Sequence, residues 1–196
     1  MKYQVKLLLL GLFFIVLQSC SKVQEVQTQP KVQVLNHQQE LKLLPKPQIV
    51  KQALIHWEQK VRERPKGSNK GDSVSAWSKK IFGRDGVYWC AVYGSILCKE
   101  TNSYPSIKSA QAIKFIVKNY SISAKDIITG RKEMPIPAYA VKGRKGGNHV
   151  DLIIDYDKAT RTMTLIGGNV NDAVTYRKIK LNISDRFGYT HFTKVQ

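Results

Sequence analysis

The chain changes its hydrophobic period once, near Tyr120, and that change restricts it to few folds. Before it, apolar residues recur at helical spacing; after it, short runs rich in β-branched residues alternate with turns of Gly, Asn and Asp. Residues 49–61 place Val50, Leu54, Trp57 and Val61 on one stripe, with His56 beside it as a partly exposed helical residue. Residues 72–82 place Val74, Trp77 and Ile81 on one face, with Asp72 as a possible cap. A third helix starts at Cys90, and a fourth is expected from Ser106, turning Ile107, Ala110, Ile113, Ile116 and Val117 inward. Strands are expected over residues 138–142, 149–155, 162–166, 173–181 and 189–195. Helices followed by an antiparallel meander predict an α+β domain with the cysteine helix packed on the sheet.

Cys90 lies where the loop Gly86-Val87-Tyr88-Trp89 runs into that third helix. A thiol attacks as its thiolate, and the positive end of a helix together with unpaired N–H groups lowers a cysteine pKa at the first turn. Helix entry therefore suits a nucleophile, although a free cysteine is more often a small buried hydrophobe. Cys98 follows eight residues later, about 12 Å along a helix, out of disulfide reach of Cys90. A nucleophilic thiolate needs a histidine and a group that orients it. Of the four histidines, His149 opens the strand His149-Val150-Asp151-Leu152-Ile153 from a loop over residues 143–148, at the edge of a cleft. His37 falls in a polar tether, and His191 alternates with Thr190 and Phe192 as a sheet residue. Asn169 ends the next strand and would lie beside His149 in a hairpin, which makes it the expected orienting residue. Asp151 shares the His149 side of its strand by the period-two rule. It is either a substitute charge partner or part of a solvated face.

The runs YWCAVYGSIL, NHVDLIID and LIGGNVNDAV, in that order, resemble the CHAP family of cysteine peptidases and amidases within the NlpC/P60 group. The similarity extends from GSNKGDSVSAW to about TYRKIK. It implies a papain-like fold, cleavage of peptidoglycan peptides, and the catalytic set Cys90, His149 and Asn169. It also implies a loop near the site that would make Asn69 a cleft residue; Tyr88, Trp89 and Asp151, beside Cys90 and His149 in sequence, are further candidate cleft residues. Many family members carry a glutamate where this chain has Gly167. A non-catalytic peptidoglycan-binding module with a degenerate cleft is the alternative.

The amino end reads as a bacterial lipoprotein signal over residues 1–19. Lys2 and Lys6 precede the apolar run Leu7 to Leu17, and Leu17-Gln18-Ser19-Cys20 resembles a lipobox, making Cys20 the acylated residue. Residues 20–47 form a tether and 48–196 the hydrolase domain. This places the protein in the cell envelope, anchored by lipid to a membrane, the outer one or the cell surface in a Gram-negative cell. The formal charge of +18 favours polyanions. In that compartment these are lipid head groups, cell-wall polymers and peptidoglycan carboxylates; no nucleic-acid motif is present. No His/Cys/Asp/Glu cluster has metal-ligand spacing and no Gly-rich loop joins a strand to a helix, so no cofactor is expected. A monomer is expected.

Overall fold

Three helices lead into the sheet where the period predicts them: α1 (Gln48–Glu58), α2 (Asp72–Phe82) and α3 (Cys90–Thr101). They belong to a computed structural model that describes residues 46–182 and 188–196. The expected signal, Cys20, His37 and the tether up to residue 45 lie outside the described residues, as do residues 183–187. No helix among the described residues is long and apolar enough to cross a membrane.

α1 is rotated relative to its expected stripe. It buries Ile49, Val50, Ala53 and His56, whereas Trp57 is 40% exposed and lies against the Tyr176 ring at 5.3 Å. His56 is a core residue rather than a partly exposed one, hydrogen-bonded to Gln52 at 2.9 Å and packed on Trp77 and Tyr93. α2 starts after Gly71 without a side-chain cap, so Asp72 serves as first-turn acid, and the helix ends on left-handed Gly83. α3 is buried continuously from Cys90 to Cys98 and is the central helix. Gly94 lets it approach its neighbours closely: a Cβ there would lie 2.7 Å from the Phe115 ring and 3.3 Å from the ring of Tyr139 in the sheet.

The expected fourth helix does not form. Residues 106–111 are irregular, and only a single 3-10 turn, Ala112–Phe115, follows. The reason is tertiary: the Ser109 N–H donates to Ser95 Oγ and Ser95 Oγ donates to the Ser109 carbonyl, both at 2.9 Å, which ties this segment to α3. Ile107, Ala112 and Phe115 reach the core without a helical stripe.

The sheet has six antiparallel strands in the order β1-β6-β2-β3-β4-β5. They are β1 (Ser121–Ser123), β2 (Ala138–Arg144), β3 (Gly147–Asp157), β4 (Thr162–Val170), β5 (Ala173–Lys180) and β6 (Tyr189–Lys194). β1 and the short helix α4 (Ala124–Ile128), capped by Ser123 Oγ accepting from the Asp126 N–H at 3.1 Å, were not expected. Nor is there a broad loop before His149: β2 and β3 pair as far as Arg144 with Gly147, leaving the tight turn Lys145-Gly146. Alternation along the strands builds a core on both faces of the sheet. Tyr139, Val141, Val150, Leu152 and Ile166 pack with the three helices; Ala138, Ala140, Ile153, Leu165 and Phe192 pack with Ala124 and Ile127 of α4. Each fully buried Leu or Ile contributes about 1.5–3 kcal/mol, so the sheet between these clusters is a firm base for side chains. The chain is thus an α+β protein.

Candidate catalytic site

Cys90 is the first residue of α3, and its thiol is buried. Trp89 precedes it with φ −112° and no side chain caps the helix, so the first-turn N–H groups have no cap acceptor. A buried carboxylate fixes this entry. Glu63, 4% exposed, accepts from Trp89 Nε1 at 2.7 Å and from the Asn69 backbone N–H at 2.8 Å. The Asn169 amide, oriented by its neighbours, donates to Glu63 Oε1 and accepts from the Trp89 backbone N–H, each at 3.3 Å. It stands 3.2 Å from the Asn69 amide.

His149 sits near the start of β3 and is 3% exposed. Its Nε2 bonds to Asp151 Oδ1 at 3.0 Å. Its Nδ1 is buried and has no hydrogen-bond partner among the described residues, while the ring and the Cys90 thiol are near enough to shift each other's proton affinity. Asp151 is held from two further sides. Arg177 Nη2 of β5 and the Tyr189 hydroxyl of β6 each donate to Oδ2 at 2.5 Å. Arg177 Nη2 also lies 3.5 Å from His149 Nε2 and donates to the Tyr189 hydroxyl at 3.3 Å.

The electrostatics follow from these contacts. Burial pushes the Cys90 thiol up, but the His149 hydrogen bond and charge, the Arg144 charge and the Val150 backbone outweigh it and hold the thiol below its ordinary value. Burial lowers His149, yet its bonds to Asp151 and Cys90 raise it to about 9. Burial also raises Asp151, and its bond and charge pairing with His149, with Arg177 and Tyr189 behind, bring it down to about 2. At neutral pH His149 is thus an imidazolium backed by an ionised aspartate, beside a thiol held below its ordinary value. Cys98 is the opposite case: burial raises it, and its sulfur pairs with the Tyr139 hydroxyl at 3.2 Å, so it is a structural thiol.

The structure therefore brings Cys90, His149 and Asp151 together and gives Asn169 another task. Asn169 is expected beside His149, but it takes φ +57° at the end of β4, where its amide turns to Glu63 and Trp89. Asp151 is not on a solvated face; it is 2% exposed. Gly167 explains the exchange, because a Cβ there would lie 1.8 Å from Asp151 Oδ1. Trp89 is fully buried and lines the core rather than a cleft, whereas Tyr88 is 71% exposed with the Arg144 guanidinium 5.9 Å from its ring centre. Asn69 is half-buried at the edge of the Glu63 network. His191 is a half-buried strand residue hydrogen-bonded to Thr190. Sequence reasoning missed Glu63, Arg177 and Tyr189, which only tertiary structure brings to this place. Among the described residues no group of three or more His, Cys, Asp or Glu could hold a metal ion. A cavity of about 390 Å³ lined by Cys98, Asn102 and Tyr104 lies at the far end of α3 from Cys90.

A comparison of the chain with protein-family models, curated proteins and solved structures found no significant match.

Proposed function

We propose that the chain is a papain-like cysteine hydrolase that cuts an amide bond in peptidoglycan stem or bridge peptides, carried on a lipid-anchored envelope protein. The observation that carries the reading is the single line of contacts from Cys90 at a helix start through His149 to a buried, doubly anchored Asp151. Such an arrangement makes a nucleophile and a proton donor available in one pair. The thiolate attacks the carbonyl carbon, a C–S bond forms, and the carbonyl electron pair moves to oxygen, where the Cys90 backbone N–H can hold it. Collapse breaks the C–N bond as His149 Nδ1 gives its proton to the leaving amine. Water, losing a proton to His149, then attacks the thioester carbon; the C–S bond breaks and the thiolate–imidazolium pair is restored. Peptidoglycan as substrate rests on the CHAP-like motifs and on the amino-terminal lipobox pattern. The non-catalytic binding alternative drew on the missing acid at Gly167, and Asp151 fills that role from β3.

The test is incubation of the full chain with purified peptidoglycan, reading new amino termini by mass, beside Cys90→Ala and His149→Ala. New termini that disappear in both variants support the hydrolase. Sacculi that bind the protein yet stay intact would sink it.

A further inference from the structure

We propose that Lys142 and Arg144 of β2 form an anion-binding subsite beside Cys90, and that the group it receives is a carboxylate of the peptide being cut. The second half rests on the hydrolase reading above; the first does not. Lys142 is the register partner of His149, so the two side chains leave the same face of the sheet on adjacent strands. Its Nζ lies 5.5 Å from the centre of the Tyr189 ring, whose hydroxyl holds Asp151. Arg144, two residues on and on the same face, stands over the Tyr88 ring, and Tyr88 is two residues before Cys90. Both cations thus leave β2 on the His149 side, Lys142 towards the Tyr189–Asp151 pair and Arg144 towards the loop that leads into α3, where its charge acts on the thiol.

Neither cation has an acid of its own. Among the described residues neither Lys142 nor Arg144 forms an ion pair, and the carboxylate that acts on Lys142 is Asp151, already taken by His149, Arg177 and Tyr189. Burial, then the neighbouring Arg177 and Arg144, hold Lys142 below the usual lysine range despite Asp151. With the catalytic pair ionised, Lys142, Arg144, Arg177 and His149 oppose only Asp151 and Cys90, an excess of positive charge in a half-buried place. A ligand carboxylate relieves that excess, and the guanidinium offers it a planar two-point contact. Peptide substrates of the proposed class carry carboxylates close to their amide bonds, which is why a carboxylate rather than a phosphate is assigned.

The probe is alkylation of Cys90 in the full chain, read by peptide mass, with iodoacetate and with iodoacetamide. Both displace iodide by the same thiolate and differ only in charge. The expected result is an iodoacetate-to-iodoacetamide rate ratio about tenfold above that of N-acetylcysteine amide, a thiol with no other charge. Lys142→Gln and Arg144→Gln each lower that ratio, by about fivefold for one unit charge at contact distance. Lys125→Gln, at an exposed position of α4 and equal in charge, leaves it unchanged, which separates a local subsite from the net charge of the chain. A wild-type ratio no higher than that of N-acetylcysteine amide overturns the proposal without any variant, and so does an equal fall in all three variants. The substrate half is read on two stem peptides, one with a free carboxylate beside the scissile bond and one with a carboxamide. Faster cleavage of the free acid, lost in Arg144→Gln, supports it, and equal rates overturn it. If neither peptide is cut, the hydrolase reading fails and the substrate half with it, while the alkylation ratio still decides the subsite.

Discussion

Gly167→Ala adds one methyl group to the space that Asp151 occupies. The new Cβ would lie 1.8 Å from Asp151 Oδ1 and 3.0 Å from its Cγ, with Val170 Cγ2 at 3.3 Å on another side. Restoring even 3.0 Å of separation requires the oxygen to retreat by at least 1.2 Å. A retreat of that size exceeds the range over which a hydrogen bond survives, so the 3.0 Å contact to His149 Nε2 is lost or badly bent. Arg177 and Tyr189, both at 2.5 Å from Oδ2, oppose the movement. Overpacking costs about 1–3 kcal/mol and a lost hydrogen bond to a charged group about 1.5–3 kcal/mol. The two effects share one atom and do not simply add, so about 3 kcal/mol is expected, lowering Tm by about 6–12 °C. Two assays read the change: thermal unfolding, and the pH profile of iodoacetamide modification at Cys90. The profile moves up towards an ordinary thiol, because His149 loses the partner that keeps it protonated and so stabilises the thiolate less. Gly94→Ala is the control, since its Cβ would meet the Phe115 ring at 2.7 Å and the Tyr139 ring at 3.3 Å; it destabilises the fold without moving the profile. A Gly167→Ala protein that loses stability yet keeps the wild-type profile would refute the assignment of Asp151 as the residue that sustains the Cys90–His149 pair.

Asp151→Asn leaves Arg177 facing a neutral group and breaks a buried charge network, so urea unfolding should report a loss of about 3–5 kcal/mol. An unchanged midpoint contradicts the ion pair. The rate of amide cleavage should fall as pH rises through about 9, where His149 gives up the proton it supplies to the leaving amine, and the same limb should be absent from Cys90 alkylation. Stability has its own pH windows. His149, raised from 6.5 to about 9, contributes fully below 6.5 and loses its contribution as pH rises through about 9; Asp151, lowered from 3.8 to about 2, contributes above 3.8 and is lost as pH falls through about 2. His56, lowered by burial from 6.5 to about 4, favours folding above 6.5 and progressively less down to about 4; urea midpoints at pH 7 and pH 5 should therefore differ less in His56→Phe than in wild type. Glu63→Ala removes the acceptor of the Trp89 indole and the Asn69 N–H, costing about 3 kcal/mol and slowing Cys90 alkylation at saturating pH. An alkylation rate equal to wild type would show that Glu63 does not set the helix entry.

The period of the sequence carried α1 and α2 because each buries one face, and one-sided burial is what periodicity records. α3, buried on every side from Cys90 to Cys98, was legible as an apolar run after a turn, and the five longer strands as β-branched runs between turns. Residues 106–117 misled because Ser109 satisfies its backbone groups on Ser95, fourteen positions away, and no local pattern encodes that choice. β1 and α4 are too short, at three and five residues, to show a period at all. In the site, Cys90 and His149 were legible as residue types at a helix start and a strand start. Asp151 was legible only as one of two candidates, since alternation puts it on the His149 side without saying whether that side is wet. The sheet decides this by bringing Arg177 and Tyr189, 26 and 38 residues away, onto the same oxygen. Hairpin register also pointed to Asn169, but β3–β4 pairing reaches only as far as Leu152 with Ile166, and beyond it Asn169 turns with positive φ towards Glu63 and the residue before the nucleophile. Gly167, read in sequence as an acid gone missing, is the space in which the acid from the neighbouring strand sits. A glutamate at 167 and an aspartate at 151 compete for one volume beside His149, and this chain fills it from β3.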